Sequence, residues 1–276
     1  MRIGIFDSGI GGLSVLNEAY HRFPDQEYIF YADTRHVPYG TKSEDEIRGY
    51  VDEIVRFLIS KKVDAIVIAC NTATSVAAAM VREKYNLPIL GMEPAVKPAV
   101  EESSGDNRRI LVMATPVTIR EKKLERLLSR VDLQHRADLL EMPGLVNFAE
   151  REDFDGEEVK GYIRERFSYL DASDEKYSAL VLGCTHFNYF KPIYREVLGD
   201  KTHLIDGNYG TIHHLGDVMG LEIKNTGDRE IIFNKPQDIV VDFHTTYYES
   251  GDEITDNTRL SKYLRMLNRL EFVRKY

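Results

Sequence analysis

One pattern constrains this chain more than any other, and it occurs twice. Ala65-Ile66-Val67-Ile68-Ala69 is uniformly apolar and stops at Cys70, after which Asn71 and Thr72 lead into a run of mostly small residues, 73–81. A short segment that is apolar at every position is a strand buried on both faces, the mark of a parallel sheet. Asn and Thr favour a cap or turn, and the run behind them reads as a helix. Ala179-Leu180-Val181-Leu182-Gly183-Cys184-Thr185-His186 repeats the layout. Each cysteine therefore falls at the carboxyl end of a parallel strand, where open α/β sheets bind ligands. The chain has two cysteines in all, so their placement implies two half-sites facing each other.

Strand and helix signals alternate around each copy. Residues 2–6 read as a buried strand, and Asp7-Ser8-Gly9-Ile10-Gly11-Gly12-Leu13 as a flexible turn into a helix. Residues 28–31 are a second strand and 37–40 a rigid loop. Ile47, Val51, Ile54, Val55, Leu58 and Ile59 mark one face of an amphipathic helix, and residues 87–92 form the next strand. After a polar turn over 101–107 the pattern restarts. Residues 109–114 are a strand and 115–118 a turn, and Thr118 with Glu121 forms a capping box that opens a helix. A short strand at 139–140, a glycine-bearing loop at 143–145, an acidic helix after Glu150, the Cys184 strand and a last strand at 203–206 complete the second unit.

Asp7 and Thr115 lie 108 positions apart and Cys70 and Cys184 lie 114 apart, which suggests a diverged internal duplication. The tail predicts strands at 231–233 and 239–243 and a final helix through Leu260, Tyr263, Leu264, Leu267, Leu270 and Phe272 that returns to the first unit. The expected fold is α/β, with two pseudo-symmetric doubly wound domains of mainly parallel sheet and a site in the cleft between them. Residues 1–95 with 208–276 form the first domain and 96–207 the second.

Composition enters as a filter. Lys+Arg 36 against Asp+Glu 45 gives a net charge of −9, which removes the electrostatic case for nucleic acid. Apolar runs are of strand length, so no membrane span is expected. The first six residues already read as a strand interrupted by Asp7, so no signal peptide is expected either. The reading is a cytoplasmic protein whose thiols are free.

A cysteine thiol titrates near about 8.5, and lower where helix amides point at the sulfur; both cysteines are expected in such places. The plain alternatives are that a buried cysteine merely packs and that Asp7 merely caps the next helix. Two cysteines at matching strand ends make packing alone a poor account. Zinc is a poor fit, because Cys184 and His186 are two apart and no third cysteine exists. The pair His213-His214 lacks ligand-spaced partners. The run from Gly9 to Ser14 misses the third glycine of a dinucleotide fingerprint, and Asp7 would repel a phosphate.

Asp7-Ser8-Gly9-Ile10-Gly11-Gly12-Leu13, Pro38-Tyr39-Gly40, Ala69-Cys70-Asn71-Thr72-Ala73 and Gly183-Cys184-Thr185-His186, in this order and at this spacing, resemble the glutamate racemases of the aspartate/glutamate racemase superfamily. The resemblance spans nearly the whole chain. It implies an enzyme that inverts free glutamate without cofactor or metal, supplying D-glutamate for peptidoglycan. It also implies that Cys70 takes the α-proton from D-glutamate and Cys184 from L-glutamate, with Asp7 assisting Cys70 and His186 assisting Cys184. Ser8, Pro38, Tyr39, Gly40, Asn71, Thr72, Thr185 and His186 match the family's substrate contacts, and Glu150 its acidic helper. A homodimer is expected.

The chemistry is consistent. Inversion needs an acid and a base on opposite faces of Cα, and preorganised donors for the charge that develops; Asn71, Thr72 and Thr185 are suitable. The chain departs from the family pattern at Ala32, Asn188 and Gly207. Other readings are a racemase of aspartate or another acid, or an amino-acid-binding or regulatory protein on the same fold, which would need no thiol pair. A thiol–disulfide enzyme would want a Cys-x-x-Cys motif and sulfurs close enough to bridge.

Overall fold

The structure, a computed structural model, describes residues 1–224 and 231–276. Its first unit runs β1 (Arg2–Asp7), a 3-10 turn (Ile10–Gly12), α1 (Leu13–Arg22), β2 (Glu27–Ala32), a second 3-10 turn (Tyr39–Thr41), α2 (Glu44–Ser60), β3 (Ala65–Ile68), α3 (Asn71–Lys84) and β4 (Ile89–Gly91). The strands pair in parallel in the order β2-β1-β3-β4. Ser43 and Glu46 close a capping box at the start of α2. Ile47, Val51, Ile54, Val55 and Leu58 bury the inner face of this helix against Phe6, Ile66 and Ile68 of the sheet. Ile59 lies off that stripe and is 37% exposed, so the sequence reading drew the apolar face one residue too wide.

The second unit runs α4 (Val96–Glu102), β5 (Arg109–Ala114), α5 (Pro116–Arg120), α6 (Lys122–Val131), β6 (Ala137–Glu141), α7 (Leu145–Glu150), α8 (Glu157–Ser168), β7 (Tyr177–Gly183), a 3-10 turn (Thr185–Phe190), α9 (Lys191–Leu198) and β8 (His203–Asp206). Its parallel sheet has the order β6-β5-β7-β8, which repeats the second-first-third-fourth order of the first unit. The capping box at Thr118 does not form. Pro116 suits the first helical position and sets the start of α5 there, with Thr115 as the cap whose hydroxyl accepts from the Thr118 amide; Thr118 is buried inside the helix.

α10 (Asn208–Met219) packs on α1, and the tail continues as α11 (Asp238–Val241), β9 (Thr245–Glu249), β10 (Asp252–Glu253) and α12 (Asn257–Arg274). Two expected strands are absent. Residues 231–233 form no ladder; the Ile231 and Phe233 amides instead donate to Glu271 and Asn268 of α12. The predicted strand over 239–243 is largely α11, in which Ile239 is buried while Val241 is 62% exposed. The real strand is Thr245–Glu249, whose Thr and Tyr residues carry no aliphatic run. It adds in parallel to β2, β10 pairs antiparallel to β9, and the first sheet grows to six strands. α12 packs on α1 and on the turn at Thr185–Phe190, and one apolar core runs from Ile3 and Ile5 through Leu267 to Leu182 and Phe187. Among the described residues no helix is long and apolar enough to cross a membrane.

Candidate active site

The strand registers show which positions of the two units correspond. Phe6 lies opposite Ile68, two residues before Cys70, and Ala114 lies opposite Gly183, one residue before Cys184. Continued along the chain, these registers set Ser8 beside Cys70 and Thr115 beside Cys184. The counterpart of Thr115 is therefore Ser8; pairing it with Asp7, as the sequence spacing suggests, is off by one.

Cys70 is buried and caps α3. The Ala73 amide donates to its sulfur at 3.4 Å, and the thiol donates to Ser8 Oγ at 3.8 Å. The helix amide does not bring its pKa below the ordinary thiol value. Burial pushes the Cys70 thiol far up, the charge of Asp7 and that of Cys184 push the same way, and the Ala73 amide offsets only part of this. The expectation of an easily ionised thiol is thus reversed by desolvation. Asp7 is fully buried at the end of β1. The Gly9 and Gly12 amides donate to its carboxylate at 3.3 and 3.0 Å, as a helix cap would require. Thr185 Oγ1 of the second unit donates too, at 3.3 and 3.4 Å to the two oxygens, which capping does not require. Burial raises the Asp7 carboxyl despite His186 and the two amides. With its oxygens held in this way, Asp7 acts on Cys70 through charge.

Cys184 is also buried, ahead of a 3-10 turn, and no amide caps its side chain. His186 Nδ1 lies 3.8 Å from the sulfur, and on the far side of the ring Nε2 lies 2.7 Å from Glu150 Oε1, which also accepts from the Ile10 amide at 2.9 Å. Burial opposes charge on His186, but Cys184 and Glu150 at its two nitrogens outweigh it and hold the imidazole well above its ordinary pKa. Glu150 is in turn held below its ordinary range, since His186 and the Ile10 amide overcome its burial. The result is a sulfur–imidazole–carboxylate relay. The glycines of the Asp7 turn make room for it: a Cβ on Gly9 would run into the Glu150 carboxylate, and one on Gly11 into the His186 ring. His186 Nδ1 stands 4.0 Å from Asp7 Oδ2, so these two side chains face each other across the units.

The structure brings Asp7, Ser8, Cys70, Thr185, His186, Cys184 and Glu150 into this one network. Asn71 follows Cys70 in the first turn of α3; its amide donates to the Met92 carbonyl at 3.5 Å, and its buried Oδ1 has no hydrogen-bond partner among the described residues. Thr72 Oγ1 lies 2.9 Å from Thr115 Oγ1 and 3.1 Å from Thr118 Oγ1, which are 3.0 Å from each other, a triangle of hydroxyls spanning both units. Gly40 packs on Thr115, with Pro38 half-buried just ahead of it. The Tyr39 hydroxyl is turned onto Asp33 at 2.6 Å, so this residue can offer a ligand only its backbone and ring.

Sequence reasoning missed the site positions of Thr115 and Thr118 and the anchoring role of Asp33. Thr115 had a signal, since it follows an apolar strand as Ser8 follows β1. Asp33 binds the nearby His36 and Tyr39 and, from the tail, Ser250; the first two were within reach of a local reading and the third was not. Among the described residues no three His, Cys, Asp or Glu side chains are grouped to hold a metal ion.

A family model described as Asp/Glu/Hydantoin racemase matches residues 12–214. A glutamate racemase of Halothermothrix orenii is 46% identical over 273 residues, covering 98% of this chain and all of that relative. Among solved structures, the glutamate racemase of Campylobacter jejuni superposes with a TM-score of 0.76 at 30% identity, covering 97% of this chain and 98% of its own. The Escherichia coli glutamate racemase, solved with L-glutamate and the activator UDP-MurNAc-Ala, has the same TM-score at 26% identity, covering 92% and 99%.

Proposed function

The chain belongs to the Asp/Glu/Hydantoin racemase family, and from that premise we propose that it interconverts L- and D-glutamate by moving the α-proton between Cys70 and Cys184. The observation that carries this reading is the pair of sulfurs at equivalent strand ends of two sheets, each within the other's electrostatic reach and each with its own ionisable neighbour. With L-glutamate bound, the Cys184 thiolate removes the α-proton and the Cys70 thiol delivers its own to the opposite face. The product is D-glutamate, with the thiol now on Cys184 and the thiolate on Cys70, the state in which Cys70 is the base for the reverse reaction. His186 and Glu150 hold the proton inventory of Cys184, and Asp7 bears on Cys70 through its charge.

The unpaired Asn71 Oδ1 suits the substrate ammonium, and the hydroxyls of Thr72, Thr115 and Thr118 suit a carboxylate. Residues 1–95 with 208–276 form one wall of the cleft and 96–207 the other. The protein works in the cytoplasm as a homodimer and supplies D-glutamate for peptidoglycan. Incubation of the pure protein with L-glutamate in D2O, without pyridoxal phosphate, tests the reading: loss of circular dichroism should accompany deuterium entry at Cα. Racemisation without solvent deuterium, or none until pyridoxal phosphate is added, rejects it.

A further inference from the structure

Lys262, Arg265 and Arg269 recur at spacings of three and four on α12, and such spacing puts them on one face. Opposite that face runs the segment that begins at Glu150. Lys262 Nζ donates to the Glu150 carbonyl at 3.4 Å, Arg265 pairs with both Glu152 oxygens at 2.8 and 2.9 Å, and Arg269 with both Asp155 oxygens at 2.9 and 2.8 Å. Arg269 does more than its neighbours. Its Nε and Nη2 also donate to the Tyr189 carbonyl at 3.3 and 3.1 Å, and its guanidinium lies over the Phe154 ring, which stacks on Tyr189. Tyr189 belongs to the same 3-10 turn as His186, and its hydroxyl donates to the Ile10 carbonyl. One largely buried guanidinium thus joins the segment carrying Glu150 to the turn carrying His186.

We propose that α12 braces the Cys184 half-site from outside, with Arg269 as the positioning residue that holds His186 and Glu150 in register. Arginine suits this task because its five donors lie in a rigid plane and can serve a carboxylate and a carbonyl together. Arg265, 58% exposed, forms a pair of the solvated kind that contributes little. Among the described residues Arg269 touches the segment after Glu150 and the His186 turn and makes no contact with Cys70, Ser8 or Asp7, so its loss bears mainly on the Cys184 half-site. The inference rests on the proposed division of labour between the two cysteines.

Racemisation by itself cannot read this out. Enantiomers have equal free energy, so kcat/KM must fall equally in both directions. Elimination from 3-chloroglutamate separates them. The base takes the α-proton, the C–H electron pair becomes the C=C bond, chloride leaves Cβ, and the enamine hydrolyses to 2-oxoglutarate and ammonium; only one base is needed. Arg269→Ala should slow 2-oxoglutarate release from the L-analogue by about 10-fold, the scale of a small misplacement of a catalytic group, and leave the D-analogue within about twofold. Arg269→Lys, which keeps the charge but not the fork, should fall between. Asp155→Asn removes the exposed partner and should show the same enantiomer bias at about threefold, and it decides the matter if Arg269→Ala does not fold. Equal losses on both enantiomers, or none, overturn the proposal. Cys184→Ser run alongside separates the two layers: if it still processes the L-analogue, the division of labour itself is wrong, whatever Arg269 does.

Discussion

Cys70 and Cys184 end the third strand of two sheets built in the same order, yet their surroundings share almost nothing. Cys70 caps a helix and touches an amide and a serine hydroxyl, with a buried carboxyl acting on it from a distance. Cys184 caps nothing and touches an imidazole that is backed by a carboxylate. The backbone was repeated and the proton chemistry was not. A two-base reaction has a use for this difference, because at the start of a turnover one sulfur must be thiol and the other thiolate. Burial and Asp7 keep Cys70 protonated. A charged His186 beside Cys184 can hold the proton that the other sulfur lacks. Ser8 and Thr115, which stand at matching strand ends, differ as well: Thr115 caps α5 with its own hydroxyl, whereas in the turn behind Ser8 it is Asp7 that accepts from the amides.

The largest test of the comparison is to remove each sulfur. Cys70→Ser and Cys184→Ser should each bring racemisation, followed by circular dichroism, close to background, since a serine hydroxyl is a far weaker acid and base. With 3-chloroglutamate the variants should part: Cys70→Ser acts on the L-analogue and Cys184→Ser on the D-analogue. If both act on the same enantiomer, the site has one base and the two halves are not alternatives at all.

Next in size are the helpers. His186→Asn should slow elimination from the L-analogue and Asp7→Asn that from the D-analogue, by about 10²–10⁴-fold, the usual worth of general acid–base assistance. The Thr185 hydroxyl on Asp7 and the His186 ring 4.0 Å from it sharpen this, because each substitution should also leak, by a smaller factor, onto the other enantiomer. Unchanged kcat/KM in both variants would reduce the two residues to structural groups.

A smaller effect is chemical. Because the raised Cys70 pKa leaves little thiolate at neutral pH, iodoacetamide should label Cys184 ahead of Cys70 by about tenfold or more at pH 7. Raising the pH enlarges the Cys70 thiolate fraction, so the rate of Cys70 labelling should climb with pH. Peptide mass spectrometry after short exposures measures it, and earlier labelling of Cys70 at pH 7 contradicts the assigned asymmetry.

Smallest is stability. Thr115→Ala should cost about 1 kcal/mol in urea unfolding through the lost cap, and Ser8→Ala should lose nothing on that account. Equal losses would mean that the two strand ends are more alike than their caps suggest.

Much of this was legible in the chain, and the limits are physical. Strands buried on both faces are apolar at nearly every position, so β1, β3, β5 and β7 could be read from periods of a few residues and the two cysteines followed from where such runs stop, while the roles of Asp7 and His186 came only from the family resemblance. Capping was misread even though it is local: the box expected at Thr118 did not form, and the one at Ser43 was not anticipated. The tail misled because β9 has no aliphatic run, and Ile239 and Val240 near its start suggested a strand where a helical turn stands. What tertiary structure alone decided lies between residues distant in sequence: Glu150 on His186, Thr72 against Thr115, Ser250 on Asp33, and Arg269 on Tyr189. It also decided the direction of the Cys70 shift. A helix N-terminus can be read from neighbouring residues, and its amides favour a thiolate. Desolvation depends on everything that packs around the sulfur from elsewhere in the chain, and at Cys70 it is the larger effect. The sequence by itself determined where the reactive groups stand along the two repeats. Only the fold determined which of them carries the proton, because solvation and charge act through space.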